Sequence, residues 1–172
     1  MIVPIYTVNA VMEYSTNGLW PVDEVSRERF GRPVIDPTEL GFSVATCKLL
    51  DSFGDMVWER LNPVSPNLLS LWSGAMYSHF IQLAETAVDQ MKQEVRSDIH
   101  LNTNHFASWV LQSFENEEKT DELLKEYLRD PVSYCIKHNI GHDPDKIRRD
   151  TKKAYDNWQP REQRYLETYI PK

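Results

Sequence analysis

Five histidines are the first residues to weigh for chemistry, and their spacing limits what they can do. His79, His100, His105, His138 and His142 are the full set. Two metal ligands on one helix face stand three or four residues apart, so that both reach one ion. His138 and His142 have that spacing, and Asp143 follows. Gly141 and the Asp143-Pro144 pair interrupt any helix there, because glycine ends helices and Asp-Pro starts them, so a shared face is lost. A structural role competes at each position. His138 at a helix C-terminus would meet the negative end of the dipole, and His142 precedes a helix cap.

Taken with His100 or His105, the dipeptide His142-Asp143 resembles the HD pattern of metal-dependent phosphohydrolases, whose later aspartate Asp150 or Asp156 would supply. The resemblance implies a small metal-dependent hydrolase with His105, His142 and Asp143 as ligands. Glu85, Asp89 and Glu94, followed by Glu115, Glu117 and Glu118, raise the further case of Mg²⁺ held by clustered acids, as in helical pyrophosphatases. That site needs acids facing inward from two helices. Asp89-Gln90 and Lys92-Gln93 read instead as a solvated face, and 115–118 as a loop. The chain has no Gly-x-Ser-x-Gly, no glycine-rich phosphate loop, and no neighbour that would activate Cys47 or Cys135. Both cysteines sit in apolar surroundings and are expected to be free buried thiols.

Basic residues offer another chemistry. Residues 131–158 have a helix–turn–helix outline, with Gly141 in the turn. On the second helix Ile147, Thr151, Ala154, Tyr155 and Trp158 form one face, and Lys146, Arg148, Arg149, Lys152 and Lys153 occupy the remaining arc. Such a helix can lie on phosphates or enter a major groove. Asp145, Asp150 and Asp156 break the arc, and no Asn, Gln or Ser at the helix start suggests base reading. A solvated or partner-facing helix is the competing reading.

The elements that must position these residues are mainly helical. Leu68, Trp72, Met76, Phe80, Leu83, Ala87, Met91 and Val95 recur at steps of three or four, which predicts one long amphipathic helix over about 67–99. Its length would force a bend near Ser73-Gly74 or a projection from the body. Asp36-Pro37, Asp130-Pro131 and Asp143-Pro144 each place a capping carboxylate before a proline suited to the first helical position. Further helices are expected at 37–50, 55–61, 105–116, 121–129, 131–138, 144–158 and 161–169. The first 35 residues differ. Ile2 to Val8 is rich in β-branched and aromatic residues, and Asn17-Gly18 is a hairpin signal, so residues 1–35 read as a small β-hairpin or extended arm ahead of a helical domain at 36–172. The fold class is therefore an irregular helical bundle around one long central helix.

Composition narrows the function classes. The 26 acidic and 19 basic residues give a net charge of −7, divided into 16 against 7 over residues 1–118 and 10 against 12 over 119–172. An acidic body repels phosphates, so broad nucleic-acid contact is excluded outside the C-terminal third. No apolar run approaches the about 20 residues that span a bilayer, and the N-terminus lacks the features of a signal peptide. A cytoplasmic protein, or one built into a particle assembled there, is expected. The leading expectation is a non-enzymatic interaction or assembly component without a cofactor, of the kind found among structural and accessory proteins of viruses and mobile elements or among acidic inhibitor and immunity proteins. Its partner would be another protein or a second copy, met through Tyr6, Tyr14, Trp20 and Phe30 on the arm and Tyr165 and Tyr169 near the C-terminus.

Overall fold

The computed structural model describes residues 3–12 and 17–168. Among them the protein is mostly helical, with a small three-stranded sheet near the N-terminus. No helix of the described residues is long and apolar enough to cross a membrane. The chain divides into two compact units, Met1–Trp58 with Leu83–Gln112 and Glu59–Gln82 with Ser113–Lys172.

In the first unit, β1 (Tyr6–Ala10) pairs antiparallel with β2 (Leu19–Pro21) and parallel with β3 (Ile99–Asn102), in the order β2-β1-β3. Val8 and Ala10 are buried on either side of half-buried Asn9, the alternation of a strand with one covered face. The expected hairpin is thus part of a three-stranded sheet. Asn17-Gly18 does turn the chain into β2, with Gly18 at a φ of 72° and its carbonyl accepting from Val11 N–H at 2.7 Å. It is not a two-residue tip, however, because Ala10 pairs with Leu19. Ile99, expected as the last residue of the long helix, instead opens β3, a strand the sequence does not signal. Its pairing is non-local: the main-chain N–H groups of Ile5 and Tyr6 both donate to Asp98 O, at 2.8 and 3.1 Å, and Asn102 Nδ2 donates to Asn9 Oδ1 at 3.0 Å.

The segment after β2 holds a helix that the sequence reading did not anticipate. α1 (Glu24–Phe30) starts at Asp23, whose carboxylate accepts from Ser26 N–H at 2.8 Å, and ends at Gly31. The helix expected at 37–50 is broken in two, a 3₁₀ turn over Pro37–Leu40, capped by Asp36 and stopped at Gly41, and the first turns of the next helix from Val44. A new start at Ser43 then opens α2 (Val44–Glu59), which runs through Gly54 and absorbs most of the segment expected at 55–61. Ser43 donates through N–H and Oγ to Glu94, at 2.7 and 2.8 Å. Met76, Phe80, Leu83, Ala87 and Met91 are all buried, as the helical period requires, but their helix, α3, runs only from Gly74 to Glu94. Leu68, Leu71 and Trp72 are buried from an irregular stretch instead. The helix expected at 105–116 shrinks to α4 (Ser108–Leu111).

In the second unit, α5 (Glu117–Arg129) begins at Asn116, whose side chain accepts from Lys119 N–H at 2.8 Å. Asp130 caps α6 (Pro131–Lys137), and Asp143 accepts from Asp145 and Lys146 N–H at the start of α7 (Pro144–Thr168). α7 passes through Pro160 and so unites the helices expected at 144–158 and 161–169; with 25 residues it is longer than α3, which has 21. A mid-helix proline removes one hydrogen bond, here to the carbonyl of Asp156, whose residue is exposed and open to water. Trp72 anchors the core, 5.3 Å from Phe80 and Tyr77 and stacked 6.4 Å from Trp158, measured between ring centroids. Buried Tyr127 Oη lies 3.3 Å from Asn62 Nδ2 and 3.3 Å from Thr151 Oγ1, which satisfies three polar groups at once.

The start of α3 lies in this second unit. Ser73 Oγ accepts from Met76 N–H at 3.1 Å, Asp121 accepts from Gly74 N–H at 2.8 Å, and Glu162 accepts from Ser73 N–H at 2.7 Å. Two carboxylates therefore serve one helix N-terminus, where the dipole favours negative charge. Gly74 is required there because a Cβ would fall 2.4 Å from both Cα and O of Glu117. The expected bend at Ser73-Gly74 is the place where the helix begins.

Candidate interaction surface

Large apolar side chains that remain exposed are uncommon enough to locate surfaces with a purpose when they gather. Among the described residues, four of the eight belong to the N-terminal part of the first unit: Val3 (76% exposed), Ile5 (61%), Val25 (53%) and Val22 (37%). Their neighbourhood follows from the local fold. Pro21 pairs with Val8, so Val22 stands opposite Thr7, and Val22 N–H donates to Thr7 O at 3.0 Å. Thr7 N–H in turn donates to Ser26 Oγ at 2.7 Å, which ties α1 to β1 and brings Val25 to the same region. β1 is the central strand, so its hydrogen-bonding edges are filled by β2 and β3, while Val3 and Ile5 just ahead of it stay in water.

Beside this patch is a cleft of about 400 Å³ lined by Trp20, Pro21, Arg27, Arg32 and Pro33. Two prolines and an indole give it rigid apolar walls, and two guanidiniums stand at it. Arg32 is paired with Glu39 at 2.5 Å, and Arg29 reaches the same carboxylate at 3.9 Å. Arg27 is exposed and forms no ion pair among the described residues. Asp23 faces Arg27, but hydrogen bonds from Ser26 and Thr7 hold that carboxyl below its usual range and already engage it. The indole N–H of Trp20 is buried with no acceptor among the described residues.

The expected contact residues separate into several environments. Tyr6 is half-buried and packs edge-on against Phe30, with ring centroids 5.8 Å apart. Phe30 is only 5% exposed, under the guanidinium of Arg29 at 5.4 Å. The structure thus brings Tyr6 and Phe30 together as packing partners and leaves Trp20 at the cleft. Tyr165 is half-buried in the second unit, 6.3 Å from Trp158. Tyr14 and Tyr169 lie outside the described residues. The tryptophan that the sequence reading overlooked is Trp58, at 58% exposed the most open of the five. Its place in an amphipathic run carries no mark of exposure.

The five basic residues expected to form the phosphate-facing arc, Lys146, Arg148, Arg149, Lys152 and Lys153, are all exposed on α7, yet three of them are matched by acids of the same helix: Arg148 with Asp145 at 3.8 Å, Arg149 with Asp150 at 3.0 Å and Lys152 with Asp156 at 2.7 Å. Lys146 and Lys153 have no such partner among the described residues. Of the histidines, His105 is exposed in the first unit, while His142 and Asp143 belong to the second. His142 Nδ1–H donates to Ile140 O at 2.8 Å, and Asp143 is occupied as a helix cap. Among the described residues no group of three or more His, Cys, Asp or Glu side chains is arranged to hold a metal ion. Cys47 and Cys135 are free thiols, and burial pushes both above the usual thiol range.

Comparison with protein-family models, curated proteins and solved structures finds no significant match.

Proposed function

We propose that this protein is an interaction or assembly component that meets another protein, or a second copy of itself, through the N-terminal part of its first unit. The observation that carries the reading is the pair Val22 and Val25, aliphatic side chains left in water next to Pro21 and Arg27 of a Trp/Pro-walled cleft, with Val3 and Ile5 also exposed just ahead of β1. Burying one aliphatic side chain of this size is worth about 1.5–3 kcal/mol, so such a group gains most from a covering partner. Trp20 at the cleft is the kind of residue that dominates binding hot spots. Of the arm residues expected to make contact, Trp20 keeps that role beside the exposed aliphatic residues, Tyr6 and Phe30 pack on each other, and Tyr14 lies outside the described residues.

The test is the native size of the full chain at its ordinary cellular concentration, read by size-exclusion in clarified extract. The intact protein should elute well above its 20.2 kDa chain mass. Val22→Glu with Val25→Glu should return it to the monomer position, whereas Ile136→Glu, which changes an exposed apolar residue of the second unit, should not. Elution of the unaltered protein as a monomer, or the same large size from the double variant, would refute the proposal.

A further inference from the structure

We propose that the Trp20–Pro21–Arg27–Arg32–Pro33 cleft is a docking groove for an extended acidic segment of a partner protein, in which a carboxylate meets Arg27 and neighbouring apolar or proline residues lie against Trp20, Pro21 and Pro33. The inference rests on the interaction reading above and names the chemistry of the partner.

Charge supplies the first argument. Residues 1–118 contain seven basic side chains against 16 acidic ones, and three of the seven, Arg27, Arg29 and Arg32, fall within six residues of one another at this cleft and its helix. Glu39 serves both Arg29 and Arg32, while Arg27 has no carboxylate in ion-pair reach among the described residues. Of the acids nearby in sequence, Asp23 and Asp36 are taken up as caps of α1 and the 3₁₀ turn, and the exposed Glu24 and Glu28 do not line the cleft. A guanidinium that feels the capping Asp23 but closes no ion pair with it keeps donors open for an anionic partner and gives that partner a defined place.

The walls supply the second. Proline has no N–H and a fixed φ, so Pro21 and Pro33 offer flat apolar surface that loses little entropy when covered. With an indole beside them they make a groove of the type that binds extended, proline-containing segments. The volume of about 400 Å³ suits a few side chains. Val22 follows Pro21 and Val25 shares α1 with Arg27, so apolar surface continues past the cleft, as a peptide needs and a small ion does not. One arginine outside any ion pair, in an acidic unit and with the capping Asp23 acting on it, is poorly placed to hold a nucleic-acid backbone, which requires several cations in a row.

A random linear dodecapeptide library displayed on phage and selected on the intact protein provides the probe. Recovered peptides should carry Asp or Glu next to proline or a large apolar residue. Their affinity, read by fluorescence anisotropy, should fall at least about tenfold in Arg27→Glu and be largely kept in Arg27→Lys, and it should weaken with added salt. Arg27 is exposed and unpaired, so both variants should fold, as circular dichroism will show. Recovery of peptides without acidic residues, undiminished binding to Arg27→Glu, or no recovered peptide would each overturn the acidic-groove inference. If any of these occurs while Val22→Glu/Val25→Glu still returns the protein to monomer size, the patch is an interface and this groove is not its specificity element.

Discussion

Replacing Gly74 by alanine should destabilise the second unit strongly, although alanine is ordinarily the better helix residue. The added Cβ would stand 2.4 Å from Cα and O of Glu117 and 2.7 Å from its carbonyl carbon. All three are backbone atoms at the start of α5, so no side chain can rotate away. Overpacking of this kind costs about 1–3 kcal/mol. Displacing the helix start would also strain the bonds of Gly74 N–H to Asp121 and Ser73 N–H to Glu162, and a hydrogen bond to a charged group is worth about 1.5–3 kcal/mol. The entropic gain of Gly→Ala returns only about 0.4–1 kcal/mol. The net loss is roughly 2–4 kcal/mol, which at a urea slope of about 2 kcal/mol/M moves the unfolding midpoint down by about 1–2 M. Urea titration followed by circular dichroism at the helix band reads this directly. Gly141→Ala is the matched control, since no atom lies within 4 Å of its added Cβ, and it should stay within about 0.5 kcal/mol of the parent. A Gly74→Ala midpoint equal to that of Gly141→Ala would refute the close approach of α3 and α5.

Other outcomes follow from the same geometry. Burial pushes the Glu162 carboxyl above its usual range, against the hydrogen bonds from Ser73. The folded state therefore holds that proton to higher pH than the unfolded chain, so stability from this group is present at low pH and is lost as pH rises through the raised value. Glu162→Gln should flatten that dependence in thermal melts across pH 4–8 while keeping the acceptor for Ser73 N–H, whereas Glu162→Ala should cost about 1–3 kcal/mol by leaving the donor unpaired. Asn116→Ala should cost about 0.5–2 kcal/mol by removing the α5 cap, measured by the same urea titration. For Glu94, desolvation acts upward but the hydrogen bonds from Ser43 and Thr46 outweigh it and leave the carboxyl below its usual range. Its contribution should therefore be present at neutral pH and be lost as pH falls through the carboxylate region, and Glu94→Gln should blunt acid unfolding of the first unit.

What could be read from the sequence was the local part of the fold. Asp36, Asp130 and Asp143 are seen capping because each needs only its next three residues. The buried stripe from Met76 to Met91 is a period within one helix. Failures came where distant residues decide. Leu68 and Trp72 continue the stripe by spacing, yet the helix starts only at Gly74, where carboxylates 47 and 89 residues away take its N–H groups. β3 spans only four residues, and its register is set by β1, about 90 positions earlier. α1 escaped notice because seven residues between Pro21 and Gly31 are too few to show a period. The site followed the same division. Trp20 stood out beside Pro21, but Arg27 and Arg32 acquire meaning only once α1 sets them at the cleft, and Phe30 only once it is seen packed on Tyr6.

The most direct measurement of the central claim is site-specific photo-crosslinking of the full chain in living cells, with benzoylphenylalanine placed at Val25 or, for comparison, at Ile136. Discrete protein adducts are expected from position 25, reduced by Val22→Glu, and none of the same mass from position 136. Absence of adducts from position 25, or the same adducts from both positions, would contradict the claim.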